Sequence, residues 1–171
     1  PIYSTTISDD GQFAACSRGN QIFIYHLPTQ QLVTRLSDPI LSENIAHRDL
    51  VQSLSFSPDG KTLASGGFRV VKLWSNRINE KARIVNIMNG NEKVVGMDVD
   101  YERGIAVVAG SSGTVQAVSL KNGMPVWSDH LSSLGAQRVI KSPDGKSVAV
   151  LFSDGRVRIW ELDTGSRITR E

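Results

Sequence analysis

The sequence predicts an all-β fold made of four consecutive antiparallel sheets with four strands each. Short runs rich in Val, Ile, Phe and Trp are bounded by Gly, Pro, Asp and Asn, which is typical of strands and hairpins rather than helices. Three such runs in succession form a pattern that occurs four times, and a more polar fourth run follows each trio. The turn glycines of the four copies recur about every 40–50 residues, at Gly11, Gly60, Gly104 and Gly145.

The strands of each copy follow from these runs and turns. The first copy predicts strands over 2–8, 12–16, 22–27 and 32–36, and the second predicts them over 51–57, 62–66, 70–74 and 82–87. The third predicts strands over 94–100, 105–109, 115–120 and 125–128, and the fourth over 136–142, 147–152, 157–162 and 167–169. Pro-Asp-Gly at 58–60 and 143–145 predicts turns, because Pro restricts φ, Asp bonds the local backbone and Gly accepts positive φ.

The middle strands carry apolar residues on both faces, as in Ile22–Tyr25 and Ile105–Val108. A sheet with one wet face would alternate instead, so these sheets are expected to lie between neighbouring sheets. Stacked four-stranded units with a polar outer strand are blades of a β-propeller. We expect a single domain over 1–171, with blades at about 1–37, 47–88, 93–130 and 134–171 and an inserted loop at 38–46.

Two copies carry a recognisable family pattern. Residues 47–66 read HRDLVQSLSFSPDGKTLASG and continue to Val71-Lys72-Leu73-Trp74, which strongly resembles a WD repeat (WD40). The fourth copy repeats the pattern with SPDG at 142–145 and DGRVRIW at 154–160. The resemblance extends over essentially the whole chain, although the first and third copies are degenerate. It implies a WD-repeat β-propeller.

The resemblance also implies a buried tetrad of His, Ser or Thr, Asp and Trp in each blade. His47, Ser65 and Trp74 match three of these positions in the second copy, and the Asp is missing because the shortened turn reads Phe68-Arg69.

The remaining copies are less complete. The fourth keeps Asp154 and Trp160 but has Ser132 in place of the His, and Tyr25 and Val118 replace the Trp of the first and third copies. Such loss implies a bacterial or divergent type that relies more on apolar packing.

Two weaker resemblances indicate an alternative function. Residues 117–127 are similar to a blade of the quinoprotein propellers, with Ser119 in place of the usual Asp. Residues 38–51 are similar to bacterial proteins that fuse a c-type cytochrome domain to a propeller, and any haem domain would then lie outside this chain. The alternative is therefore the propeller portion of a bacterial periplasmic redox protein.

Composition excludes several classes of function. The net charge is +2, and no basic run is interleaved with aromatics, which argues against nucleic acid. No apolar run approaches the ~20 residues of a membrane span. The single cysteine, Cys16, rules out an internal disulfide and a multi-cysteine zinc site, so we expect no cofactor. The compartment stays open between the cytoplasm and a bacterial periplasm.

The acidic residues do not indicate catalysis. Asp9, Asp10, Asp59 and Asp144 lie in predicted turns. Asp98 and Asp100 lie on an inner strand and are expected to line a solvated channel rather than to bind a metal. Because no nucleophile elbow, phosphate loop or zinc motif is present, we expect no enzymatic activity.

The resemblance implies instead a protein-interaction scaffold. Partners of such propellers dock on the face formed by the loops between the second and third strands and the loops entering the first strand. Here those loops hold Arg18, Arg48, Phe68, Arg69, Ser153 and Asp154. Aromatic and Arg residues are favoured interface anchors, although Phe68 could equally cover a blade edge. Four blades leave apolar faces to cover, so we expect a second copy or additional blades to complete the ring.

Overall fold

The structure, a computed structural model, describes residues 1–75, 92–131 and 134–168, together with the backbone of residues 83–86. All regular secondary structure in these residues is β-strand. The strands form four antiparallel sheets of four strands, and the order within each sheet follows the order of the chain. This confirms the predicted all-β class of four-stranded blades.

The first two sheets lie in the N-terminal half of the chain. The first contains β1 (Ser4–Ile7), β2 (Phe13–Arg18), β3 (Gln21–His26) and β4 (Gln31–Arg35). The second contains β5 (Ser53–Phe56), β6 (Thr62–Gly66), β7 (Val70–Ser75) and β8 (Arg83–Asn86). The predicted strand at 51–57 begins later, at Ser53, because the Val51 amide donates to the Gly19 carbonyl of an earlier turn at 2.9 Å.

The other two sheets follow the same plan. The third contains β9 (Val94–Asp100), β10 (Ile105–Gly110), β11 (Thr114–Ser119) and β12 (Pro125–His130). The fourth contains β13 (Ala136–Lys141), β14 (Ser147–Phe152), β15 (Val157–Glu161) and β16 (Arg167–Ile168). The predicted strand residue Thr169 lies outside the described residues.

Two compact units divide the chain, unit 1 at Pro1–Ile84 and unit 2 at Val85–Glu171. The unit 1 core lies between the first and second sheets and contains Ala15, Ile22, Ala46, Val51, Leu54, Leu63 and Trp74. The unit 2 core lies between the third and fourth sheets, where Val107, Val115 and Ala117 pack with Val148, Val150, Phe152 and Trp160. The single domain over 1–171 and its blade bounds stay a prediction.

In three sheets, the turn that connects the first strand to the second has the same structure. In each, a Ser hydroxyl donates to an Asp carboxylate two residues later at 2.6 Å: Ser8 to Asp10, Ser57 to Asp59 and Ser142 to Asp144. The Ser bond and a backbone amide lower the pKa of each carboxyl. These carboxylates therefore serve the turns, as the sequence predicts for them.

Candidate protein-binding surface and buried polar sites

His47, Ser65 and Trp74 meet inside unit 1. Ser65 lies on β6 and Trp74 on β7, and the Trp74 indole Nε1 donates to Ser65 Oγ at 2.7 Å. His47 Nε2 lies 2.7 Å from the same Oγ, and its ring centroid is 6.4 Å from that of Trp74. All three side chains are buried. The structure thus joins the three second-copy residues that the resemblance assigns to a tetrad.

The other ring nitrogen of His47 has no hydrogen-bond partner among the described residues. It faces Gly67, where an added Cβ would lie only 2.5 Å from Nδ1. Burial and the nearby Lys72 charge lower the His47 pKa from 6.5 to about 3, against the opposing effect of Asp38. His47 is therefore neutral at physiological pH and forms part of the core.

A buried ion pair, which the sequence analysis missed, lies beside this trio. The Lys72 ammonium donates to the Asp38 carboxylate and, at 2.7 Å, to the Ala46 carbonyl. It also lies 5.8 Å from the centroid of a Trp74 ring. Burial opposes ionisation of Asp38, but its bonds from Lys72 and the Ile40 amide and the Lys72 charge outweigh burial and lower its pKa. Lys72 thereby ties both ends of the 38–46 segment to β7.

The fourth copy departs from the predicted tetrad. Asp154 is paired with Arg158, with Oδ2 2.8 Å from the guanidinium, and lies at the surface rather than in a buried site. Trp160 is fully buried, but its indole donates to Asp129 of β12 at 2.9 Å. Arg158, four residues further on, binds the Asp154 carboxylate in bidentate geometry. Ser132, the predicted replacement for His, lies outside the described residues.

Asp129 is the polar centre that sequence reasoning missed in unit 2. Its carboxylate accepts the Trp160 indole and the Arg167 guanidinium, whose Nε lies 2.9 Å away. Burial raises the pKa of this carboxyl less than the bonds from Trp160 and Arg167 lower it, so it is held ionised. The third and fourth sheets are thus linked through a carboxylate on an outer strand.

Glu92, which precedes β9, also links separate segments through its carboxylate, as Asp129 does. Its buried carboxylate accepts the Ser112 hydroxyl at 2.6 Å and the amides of Ser112 and Thr114. It packs against Gly110, where an added Cβ would lie 1.9 Å from Oε1. A buried polar side chain therefore packs against a glycine near the end of a second strand in both units: His47 against Gly67, directly after β6, and Glu92 against Gly110, the last residue of β10.

The expected channel-lining role does not fit Asp100. This side chain is buried and paired with Arg103 at 2.7 Å and Lys141 at 3.4 Å. Asp98 accepts the Lys141 amide at 2.8 Å, so both carboxylates bridge β9 to the fourth sheet. Among the described residues, no group of His, Cys, Asp and Glu is arranged to hold a metal ion. Nor does that part of the chain contain a helix able to cross a membrane.

Three segments meet at one end of unit 1, where four of the six predicted binding residues lie. The amide of His47 donates to the carbonyl of Asn20 at 3.1 Å, which places Arg48 beside the turn that follows Arg18. His47 in turn packs against Gly67, which opens the turn that holds Phe68 and Arg69. The β2–β3 turn, the segment entering the second sheet and the β6–β7 turn therefore form one surface, which we call the arginine surface.

The side chains of the arginine surface differ in exposure. Arg18, Arg48 and Arg69 are exposed, and Phe68 is half-buried. Arg69 has φ of 61°, a left-handed conformation that costs a non-glycine residue ~1–2 kcal/mol. Backbone strain of this kind clusters at functional sites.

The remaining two predicted residues, Ser153 and Asp154, lie in unit 2 and are exposed. Asp154 accepts the Arg158 guanidinium and the Arg156 amide, which lower its pKa to about 2. Its carboxylate is thus committed to its own turn.

Comparisons with known proteins agree with the fold. Residues 39–75 match the family described as WD domain, G-beta repeat. The chain is 29% identical over 140 residues to human angio-associated migratory cell protein, covering 80% of this chain and 31% of the relative. It is 25% identical over 163 residues to chicken WD repeat-containing protein 1, covering 92% of this chain and 26% of the relative.

The chain spans less than a third of the length of these curated relatives. Both come from vertebrates, and neither is named as a cytochrome or quinoprotein, so they lend no support to the bacterial type or to the redox alternative. The second copy, which contains the His47–Ser65–Trp74 trio, matches the WD-repeat family, and the chain is similar to a WD-repeat protein at low identity.

Proposed function

We propose that this chain is a non-catalytic WD-repeat module that serves as a protein–protein interaction scaffold. The observation that carries the proposal is the convergence of three segments on the arginine surface. The sheets of unit 1 carry these segments. Backbone hydrogen bonds and the contact between His47 and Gly67 join the segments to one another. Loops positioned by a rigid scaffold are where binding residues concentrate.

The residue types on this surface favour a protein partner. Arg and aromatic side chains contribute most of the energy at protein interfaces, and Phe68 with Arg69 supplies one of each in adjacent positions. The WD-repeat match points the same way, since such repeats typically form interaction platforms.

Replacement of the two anchors tests the scaffold. We expect Phe68→Ala with Arg69→Ala to weaken binding of a protein partner by about tenfold or more, as loss of an interface anchor does. A partner captured from the source cell would first be purified, and its affinity for the 171-residue chain would then be measured by calorimetry. The melting temperature should stay nearly unchanged.

A matched control comes from the exposed β11–β12 turn. Lys121→Ala with Met124→Ala removes an exposed cation and an exposed apolar side chain in unit 2. It should leave the affinity unchanged. Unfolding of the Phe68/Arg69 variant, or equal losses in both variants, would contradict the proposed surface.

A further inference from the structure

An apolar cleft opens between the first and second sheets of unit 1. Its volume is about 250 Å³. The first sheet contributes Val33 and Thr34 of β4 to its wall, and the second contributes Phe56, Leu63 and Trp74. Because an apolar cavity of about 150 Å³ can take up benzene, this cleft has room for one aromatic side chain.

The strand that borders the cleft, β4, is the outer strand of its sheet, so it has a neighbouring strand on one side only. All its residues, Gln31–Arg35, are exposed. The Leu36 amide, directly after β4, donates to the Ile22 carbonyl of β3 at 3.0 Å. The adjacent pair is Phe23 with Arg35. Because hydrogen-bonded and non-bonded pairs alternate in an antiparallel ladder, the N–H and C=O of Arg35 point away from β3.

A β-bulge brings this open edge and the cleft together. Ile24 pairs with Thr34. Tyr25, the next residue of β3, pairs with Leu32, so Val33 is an extra residue of β4. Val33 and Thr34 would face opposite sides of a regular strand, yet both line the cleft. Bulges are over-represented next to active sites, where they redirect a side chain in this way.

We propose that β4 and this cleft bind an extended segment of a partner protein that carries an aromatic side chain. The segment adds to the sheet beside β4, where its backbone bonds the N–H and C=O of Arg35, and its aromatic side chain enters the cleft. The Arg35 carbonyl accepts the exposed Thr34 hydroxyl at 3.3 Å and has a second lone pair for the partner. In this mode of recognition, main-chain bonds give affinity and a side-chain pocket gives specificity.

The inference goes beyond the proposed function, because it assigns a second binding site in unit 1. The cleft is lined by Gly60 and Lys61 of the β5–β6 turn. The arginine surface contains the β6–β7 turn, which lies at the other end of β6. The two sites are therefore separate and can be tested separately.

Comparison with other outer strands favours β4 as the edge that accepts a strand. Proteins protect sheet edges with Pro, with Lys or with very short strands. β12 begins with Pro125, which has no N–H, and β16 has only two residues. β4 contains neither Pro nor Lys, and its Leu32 and Val33 side chains are exposed. An extended partner would cover both the open backbone and these apolar side chains.

Peptide binding tests both parts of the proposal. The probe is the fluorescein-labelled peptide Lys-Thr-Val-Thr-Phe-Thr-Val-Lys, measured by fluorescence anisotropy with the 171-residue chain. One control peptide has Ser in place of Phe, and another carries methyl groups on the backbone nitrogens of the central Thr-Phe-Thr. We expect each control to bind about tenfold or more weakly than the probe. Equal binding of the three peptides, or no binding of the probe at millimolar concentration of the chain, would overturn the proposal.

A variant of the edge isolates the backbone bonds. Arg35→Pro removes the outward N–H, and proline is tolerated on an edge strand where that N–H faces solvent. Arg35→Ala is the matched control, because it removes the same side chain and keeps the N–H. We expect the Pro variant to bind the probe about tenfold or more weakly and the Ala variant to differ from wild type by less than about twofold. Equal losses in the two variants would exclude backbone pairing at this edge.

A second variant isolates the cleft. Thr34→Phe places an aromatic ring on the cleft wall, so it should block the probe's own Phe and weaken binding by about tenfold. Val126→Phe makes a comparable change at an exposed position of β12 and should leave binding unchanged. Equal effects of the two substitutions would overturn the assignment of the cleft.

Hydrogen exchange gives a readout on the unaltered chain. Binding of the probe should slow exchange of the Arg35 amide, because that N–H becomes bonded to the added strand. If Arg35→Pro unfolds the chain, this measurement and the methylated peptide decide the matter without it. Unchanged exchange at Arg35 in the saturated complex would overturn the proposal.

Discussion

At the scale of single residues, the two buried tryptophans show how one residue type is used in two settings. Trp74 donates to a neutral hydroxyl, that of Ser65, whereas Trp160 donates to the charged Asp129 carboxylate. The sequence identified both as buried tryptophans of a repeat. It could not identify Asp129 as a partner, because the acceptor lies 31 residues away on the outer strand of a different sheet.

We expect Trp74→Ala and Trp160→Ala each to lower the free energy of unfolding by about 3–5 kcal/mol, because each empties a large aromatic site in a core. Both side chains are at least nine-tenths buried. Denaturant melts provide the measurement, and Val126→Ala, which truncates an exposed side chain, is the control. A loss below about 1 kcal/mol for either tryptophan would show that its core assignment is mistaken.

His47 should make the free energy of unfolding depend on pH, even at pH values above those at which carboxyl groups titrate. Its pKa is lowered from 6.5 to about 3 in the folded chain, so below pH 6.5 only the unfolded chain takes up the proton. The stabilisation is complete above pH 6.5 and is lost progressively as pH falls toward 3. Between pH 6.5 and 5 the loss should be about 2 kcal/mol, at ~1.4 kcal/mol per pH unit.

Urea unfolding at pH 7.5 and pH 5 measures this loss. In His47→Gln the pH dependence over that window should shrink, since the titrating group is gone. His130→Gln, which removes an exposed imidazole, should keep it. The same pH dependence in wild type and His47→Gln would show that another group is responsible.

At the scale of elements, the 38–46 segment is bonded to a strand of the second sheet and is not a free insertion. The sequence predicts it as a loop, and a loop carrying a single Asp gives no local sign of a buried ion pair. Lys72 on β7 contacts Asp38 and the Ala46 carbonyl, which bracket the segment. The sequence predicts a strand over 70–74 that contains Lys72. It gives no sign that Lys72 is buried, because charged residues are rarely buried without a partner and the partner is distant along the chain.

Removing one member of this pair should cost more than removing both. Lys72→Met leaves the Asp38 carboxylate buried without its cation, so we expect a loss of about 3–5 kcal/mol in the free energy of unfolding. Lys72→Met combined with Asp38→Asn should recover most of that loss, because Asn keeps an oxygen for the Ile40 amide. A double-mutant cycle from chemical denaturation measures the coupling. Additive losses would mean that the two side chains do not stabilise each other.

At the scale of the whole molecule, each unit buries apolar residues in its core and also exposes large apolar side chains. In unit 1, Ala15 and Ile22 lie in the core, whereas Tyr3 and Ile7 are exposed. In unit 2, Val150 and Trp160 lie in the core, whereas Ile140, Val157 and Ile168 are exposed. Exposed apolar side chains of this kind favour association.

We therefore expect the 171-residue chain to associate in solution above its monomer mass of 18.7 kDa. Sedimentation equilibrium across micromolar to millimolar concentrations measures the mass. Ile7→Lys with Ile140→Lys should shift the chain toward monomer, because charge in place of an exposed apolar side chain opposes pairing. A soluble, well-folded wild-type monomer over the whole range would contradict the expectation.

Local pattern determined the fold class, the order of strands and the turns of this protein. Strand runs, Pro-Asp-Gly turns and positive-φ glycines such as Gly60 and Gly145 depend on neighbours only a few residues apart, so the sequence displays them directly. Tertiary structure alone decided which buried charges pair. Asp38 finds Lys72 across 34 residues. Asp154, assigned to the core by resemblance, instead meets Arg158 at the surface. Such pairs depend on how sheets stack, and stacking brings together residues that no local pattern connects.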